Sequence, residues 1–192
     1  GTEPAVVLAV DEAVPPGAAK GARDVQLPPW SKGRYGSAVG RAVHAVLQSV
    51  DLATGGGLDE AVTAQSMAEG VSEHAGVVRG LVRSALDSDV VRRAAARQHW
   101  RESYTGLVQG DGTVIEGFVD LIYREDDGSL VVVDYKTDAI PAEAVGPRSV
   151  YYAPQLAAYQ RAIATATGVP VRTTLLFLHP EVAAHEAPTP AS

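Results

Sequence analysis

Two aspartates and a lysine stand close together in the stretch GFVDLIYREDDGSLVVVDYKTD, residues 117 to 138. Asp120 lies near the end of one β-rich run, and Asp134 and Lys136 end the next. Side chains two apart on a strand share a face, so Asp134 and Lys136 project together and Tyr135 turns away. A polar turn at Arg124 to Ser129 lets the two runs pair as a hairpin, which brings Asp120 toward the pair. Two carboxylates beside a lysine suit a hard-oxygen magnesium site with a cation next to it. Metal-dependent phosphodiester hydrolysis needs that combination. VVVDYKT sets Asp134 directly after a β-branched apolar run that reads as a buried strand, and a buried acid needs a partner or a metal. Asp126, Asp127 and Asp138 read instead as solvated charges.

Other residues could join this chemistry. His44 lies on a mainly apolar helix, RYGSAVGRAVHAVLQSV, where it is either a semi-buried packing residue or a ligand for a divalent ion. In VYYAPQLAAYQRAI, Tyr152, Gln155 and Tyr159 share one helix face. That stripe is either core packing or a set of polar groups able to hold a phosphate oxygen or an active-site carboxylate. In HWRESYTG, Glu102 and Tyr104 share a strand face, and Glu102 is either a third acid or a cross-strand partner for an arginine. Glu116 is a weaker candidate for the extra acid.

The elements that must position these groups follow from pattern. Residues 1–32 are rich in Ala, Pro and Gly and read as a linker or extension. Tyr35 to Val50 is expected to be a helix, ended by Gly55-Gly56-Gly57. Two or three helices are expected over residues 58–97, with a cap at Asp87-Ser88-Asp89. Residues 99–108, 113–124 and 129–136 read as an antiparallel three-strand meander. Pro141 to Pro147 reads as loop, Val150 to Thr167 as a helix stopped by Gly168, and Val171 to Leu178 as a strand. The late helix can cross over to a parallel strand, so the expected fold is α/β, a mixed β-sheet flanked by helices. The functional domain is expected over 33–179, with a disordered tail over 180–192.

The chain has 192 residues, enough for one domain with a real core. It contains no cysteine. That excludes disulfides, zinc–thiolate sites and cysteine-ligated iron–sulfur clusters, and it fits a cytoplasmic protein. No apolar run reaches the roughly 18 residues of a membrane span, so no membrane association is expected. The one methionine is Met67, which points to a fragment of a longer polypeptide. A net charge of −7 argues against a generic nucleic-acid binder. It does not argue against an enzyme whose acidic centre holds metal. Arg79, Arg83, Arg92, Arg93, Arg97 and Arg101, with His99 among them, form either a phosphate-contacting face or a solvated surface paired with Glu73, Asp87 and Asp89.

Five features recur in one order. They are GRAVH ending at His44, a glutamate on the first strand, the G-x-h-D pattern of Gly117 to Asp120, DYKT at Asp134 to Thr137, and QLxxY at Gln155 to Tyr159. This set resembles the RecB-type nuclease domain, a branch of the PD-(D/E)xK superfamily found at the C-termini of RecB, AddA and AdnA type helicase–nucleases. The resemblance implies a restriction-endonuclease-like sheet and roles for the matched residues. His44, Asp120, Asp134 and the backbone carbonyl of Tyr135 would bind Mg2+ or Mn2+. Lys136 would position the attacking water or stabilise developing charge. Gln155 and Tyr159 would line the site, and Glu102 would add an acid. Some relatives carry an iron–sulfur cluster on four cysteines, and the absence of cysteine implies the cluster-free branch. The implied function is a metal-dependent deoxyribonuclease, exonuclease rather than endonuclease, acting in double-strand-break repair. Its implied partners are DNA as a single-stranded end or unwound strand, a helicase motor in the same polypeptide, and a partner helicase–nuclease subunit. The alternative is a catalytically silent DNA-binding or regulatory module of a helicase.

Overall fold

The computed structural model describes residues 38–108 and 114–188, without the side chains of residues 107, 108 and 114–116. The expected linker over 1–32 and the start of the first helix at Tyr35 lie outside the described residues, as does the side chain of Glu116. A five-stranded sheet has the order β1-β2-β3-β4-β5. Its strands are β1 (His99–Val108), β2 (Val114–Arg124), β3 (Leu130–Lys136), β4 (Val171–Phe177) and β5 (His185–Pro188). The first three form the antiparallel meander. At its second turn, the Asp127 carboxylate accepts from the Ser129 backbone N–H at 2.9 Å and Gly128 adopts φ 85°, a left-handed conformation that glycine takes without strain. The helix α5 (Val145–Thr167) then crosses over to β4, which runs parallel to β3. The meander, the crossover and the mixed sheet are as expected from the sequence.

Two expectations are corrected. Helix α5 begins at Val145, not Val150, preceded by a 3-10 turn at Ala142–Ala144. Pro147 falls in its first turn, where a missing N–H costs nothing. The tail expected to be disordered from residue 180 instead supplies β5, antiparallel to β4 with Thr174 opposite Pro188. HEAP has no apolar alternation to announce a strand. Its pairing comes from β4, whose edge would otherwise carry unpaired backbone groups.

Helices cover both faces. On one side lie α1 (Ala38–Ser49), α2 (Leu58–Ala68), α3 (Ala75–Asp87) and α4 (Asp89–Ala95). Ser88 caps α4, its hydroxyl accepting from Val91 N–H as expected at that turn. Val43, Val46, Leu81 and Val82 from this layer pack on Leu121, Val131, Val133 and Tyr135. On the other side, Tyr152, Leu156, Tyr159 and Ile163 of α5 pack on Leu130, Val132, Leu175 and Phe177. All seven residues of β3 are buried, the mark of a central strand covered on both faces. No described helix is long and apolar enough to cross a membrane.

Gly80 on α3 lets the chain after β4 press against that helix. A Cβ there would overlap the Pro180 carbonyl oxygen. Backbone cannot rotate away as a side chain can. Gly80→Ala is therefore expected to destabilise the fold by about 1–3 kcal/mol, the cost of overpacking, despite the better helix propensity of alanine. A denaturant midpoint equal to or above that of the wild type would contradict this.

Candidate active site

Among the described residues the sheet's pairing opens beside Asp120. Along β2, Val119 and Ile122 pack in the α5 layer, while Leu121 and Tyr123 pack in the α1–α4 layer. The regular alternation of a strand thus skips a step beside Asp120. Opposite it on β1, Glu102 has a positive φ of 48°. The β1–β2 register passes from Arg101↔Leu121 to Ser103↔Val119 without pairing Glu102 to Asp120. The β2–β3 register also stops at Leu121↔Val133. Asp120 fills the gap with its side chain. Its Oδ2 accepts from the Tyr135 backbone N–H at 2.7 Å, and its Oδ1 lies 2.8 Å from His44 Nδ1. A non-glycine residue in the left-handed region stores strain that the surroundings must enforce.

Asp134 and Lys136 project together on the α5 face, both buried and in direct ion-pair contact. The Lys136 Nζ also lies 4.1 Å from the centre of the Tyr152 ring, so a cation–π contact covers one side of the ammonium. Tyr135 turns the other way, its ring 6.1 Å from that of His44. Asp134 Oδ2 touches the Lys136 ammonium and has no second hydrogen-bond partner. A carboxylate oxygen carries two lone pairs, so it keeps spare acceptor capacity.

His44, Glu102 and Asp120 each offer a donor atom, and these atoms lie within 4.8 Å of one another. With Asp134 and Lys136 they line one cavity of about 390 Å3. Carboxylates and an imidazole suit a divalent cation, so the donor set fits the metal that the sequence pattern implies. A neutral His44 that keeps its proton on Nδ1, held by Asp120, leaves Nε2 as the ring's lone pair. Glu102, ambiguous in the sequence, is brought to this cluster and not to an arginine.

Other expected residues lie elsewhere. Gln155 and Tyr159 are buried behind β2 and do not line the cavity. Gln155 Nε2 donates to the Tyr159 hydroxyl at 2.9 Å, and that hydroxyl donates to the Phe118 carbonyl at 3.4 Å. They brace the strand that carries Asp120. Gly117 makes room for this brace, since a Cβ there would lie 3.0 Å from the Tyr159 hydroxyl. Asp138, read as solvated, is buried and lines the cavity. It accepts from the Tyr152 hydroxyl at 3.0 Å and faces Arg148 Nε at 3.5 Å. The spacing 134, 136, 138 could have signalled this by continuing one strand face.

The arginine cluster is largely structural. Arg79 pairs with Asp59, Arg92 with Asp87, and Arg93 and Arg97 with Glu125. Arg101 donates to the carbonyls of Leu47 and Val50, closing the C-terminal end of α1. Of the acids expected as partners, Asp87 takes that role, and Asp59 and Glu125 replace the others.

Burial and charge set the protonation of the centre. Burial opposes a charge on His44, but the charge and hydrogen bond of Asp120 and the charge of Asp134 together outweigh it and raise the pKa above 6.5. Burial pushes the Asp134 carboxyl up from 3.8, against the pull of Lys136 and with repulsion from Asp120. Burial also pushes the Tyr135 phenol far up. Both His44 and Asp134 bind protons more tightly folded than unfolded. Their stabilising contributions are complete below the unfolded values of 6.5 and 3.8, and each is lost as pH rises through the folded value. A cation requires these ligands deprotonated. The thermal midpoint without metal should therefore fall as pH rises above 6.5 on account of His44, while the increment given by manganese should grow. A manganese increment that is flat or shrinks over the same rise would contradict the assignment.

The PD-(D/E)XK nuclease superfamily model matches residues 21–191. An ATP-dependent helicase/nuclease subunit from Desulforudis audaxviator is 30% identical over 169 residues, covering 77% of this chain and 14% of that protein. Its namesake from Clostridium acetobutylicum is 26% identical over 162 residues, covering 72% and 13%. The chain thus spans about a seventh of the length of these relatives. The solved structure of SSO0001 aligns over 78% of this chain and 68% of its own at 20% identity, with a TM-score of 0.40. The matched span takes in every described helix and strand, including the split sheet around Asp120, and the chain belongs to the PD-(D/E)XK nuclease superfamily.

Proposed function

We propose that this domain hydrolyses DNA phosphodiesters with Mg2+ or Mn2+, as the nuclease part of an ATP-dependent helicase–nuclease acting in double-strand-break repair. One observation carries the reading. Three donor residues from three separate elements converge where the sheet's hydrogen bonding opens on both sides of Asp120. A purely structural sheet gains nothing from such an opening.

His44, Glu102 and Asp120 would hold the cation, with Asp134 and the Tyr135 carbonyl completing the set on the β3 side. A divalent cation there would lower the pKa of a coordinated water and offset the charge of the scissile phosphate. Lys136, fixed by Asp134 and the Tyr152 ring, stabilises the negative charge that builds on the phosphate oxygens. Water gives a proton to solvent as its oxygen bonds to phosphorus, the bridging P–O bond breaks, and the leaving oxygen takes a proton from solvent. Gln155 and Tyr159 act by holding β2. The motor in the same polypeptide and a partner helicase–nuclease subunit would deliver the strand, in the cytoplasm. The buried Asp134–Lys136 pair speaks against a silent binding module, which has no use for a desolvated charge pair.

The test compares linear with closed circular single-stranded DNA in Mg2+ or Mn2+. An exonuclease degrades the linear form and spares the circle. Cutting of both forms would retain the nuclease and overturn exonuclease action. Persistence of both would overturn the proposal.

A further inference from the structure

Next to the metal cluster, two aromatic rings face solvent where a strand would ordinarily present polar groups. Tyr104 is 61% exposed and Phe118 59% exposed. They are direct cross-strand partners on β1 and β2, one face-sharing step along from Glu102 and Asp120. That step is about 7 Å at the usual strand rise. Their rings meet edge to face at 5.7 Å, so they form one platform. Phe118 also lines the cavity that holds Asp120 and Asp134. The Tyr159 hydroxyl donates to its backbone carbonyl and so anchors the strand that carries the ring.

We propose that Tyr104 and Phe118 form a base-stacking platform for the unpaired nucleotides beside the scissile phosphate. The inference rests on the nuclease reading above and deepens it. Charge makes the platform necessary. The cavity wall carries Glu102, Asp120, Asp134 and Asp138 against Arg41, Lys136 and His44, and Arg41 is already paired with Glu69. Phosphate contacts alone give such an acidic wall little grip on DNA. Aromatic faces bind any base, whatever the sequence, but only when that base is out of a duplex stack. Continuity of the rings with the metal cluster places the stacked bases next to the bond that breaks.

The test measures binding by fluorescence anisotropy with calcium in place of manganese. The probes are labelled oligothymidylate of about ten nucleotides, an abasic strand of the same length, and a duplex. The double variant Tyr104→Ala/Phe118→Ala removes exposed rings and their cross-strand contact, so it should stay folded with a thermal midpoint lowered by only about 2–4 °C. Wild type should prefer oligothymidylate over both other probes. The double variant should lose about tenfold or more in affinity per ring, and only for oligothymidylate. Tyr104→Leu/Phe118→Leu, which keeps apolar area without a π face, should bind no better than the alanine double variant. Affinity within twofold of wild type in the double variant, full rescue by leucine, or equal binding of all three probes by wild type would overturn the proposal. So would failure of wild type to bind oligothymidylate.

A parallel manganese cleavage assay separates the two readings. Ring-dependent binding without any cutting removes the nuclease and leaves the platform standing. Cutting that is indifferent to the double variant removes the platform alone.

Discussion

The double variant Asp134→Asn/Lys136→Met is expected to fold at least as stably as the wild type in the absence of metal, and to lose cleavage by about 100-fold or more. Both side chains are almost fully buried, and each carries a desolvation cost that their mutual attraction only partly returns. Replacing such a pair with neutral groups of similar volume is commonly neutral or stabilising by about 1–4 kcal/mol. Lys136→Met alone is the opposite case. It strands Asp134 without its cation and should destabilise by about 3–5 kcal/mol. Thermal or denaturant unfolding beside a cleavage assay checks both. If the double variant is several kcal/mol less stable, the pair is structural and no stability is given up for function at this site.

Asp120→Asn has the second large effect. The carboxylate accepts from Tyr135 N–H, pairs with His44 and joins the metal donors. Asparagine keeps an acceptor for Tyr135 and removes the charge. The variant should stay folded, at a cost of about 1–3 kcal/mol from the weakened buried contacts. Without metal, wild type and variant should differ by that amount. With manganese at about a hundred times its dissociation constant, wild type should gain about 2.7 kcal/mol, or roughly 5–10 °C for a chain of this size. The variant should gain almost nothing. An equal manganese shift in both would place the cation elsewhere.

The parts of the site that follow a strand's two-residue period are legible in the sequence. VVVDYKT shows that Asp134 and Lys136 share a face and Tyr135 opposes them, and burial on both sides of β3 agrees. The crossover helix is equally plain from its length and from Gly168, which ends it at φ 69°. What escapes depends on geometry between elements. The skipped alternation at Asp120 exists only because β1 and β3 both withdraw from β2 there, and no local pattern encodes it. Asp138 lies beyond the end of β3, and although the spacing 134, 136, 138 continues one strand face, the partners that hold it, Tyr152 and Arg148, come from α5. Gln155 and Tyr159 do share a helix face, but that face braces Phe118 and does not line the cavity. The arginine partners escape a local reading because pairs such as Arg93 with Glu125 join helix to hairpin across long stretches of chain.

If the cluster around Asp120 is a metal-dependent nuclease centre, removing one charge from it must stop the chemistry. Cleavage of linear single-stranded DNA in manganese, by wild type beside Asp120→Asn, tests this most directly. The expected result is cutting by wild type that stops on chelation and is absent from the folded variant. Cutting by Asp120→Asn at the wild-type rate, or cutting that survives chelation, would contradict it.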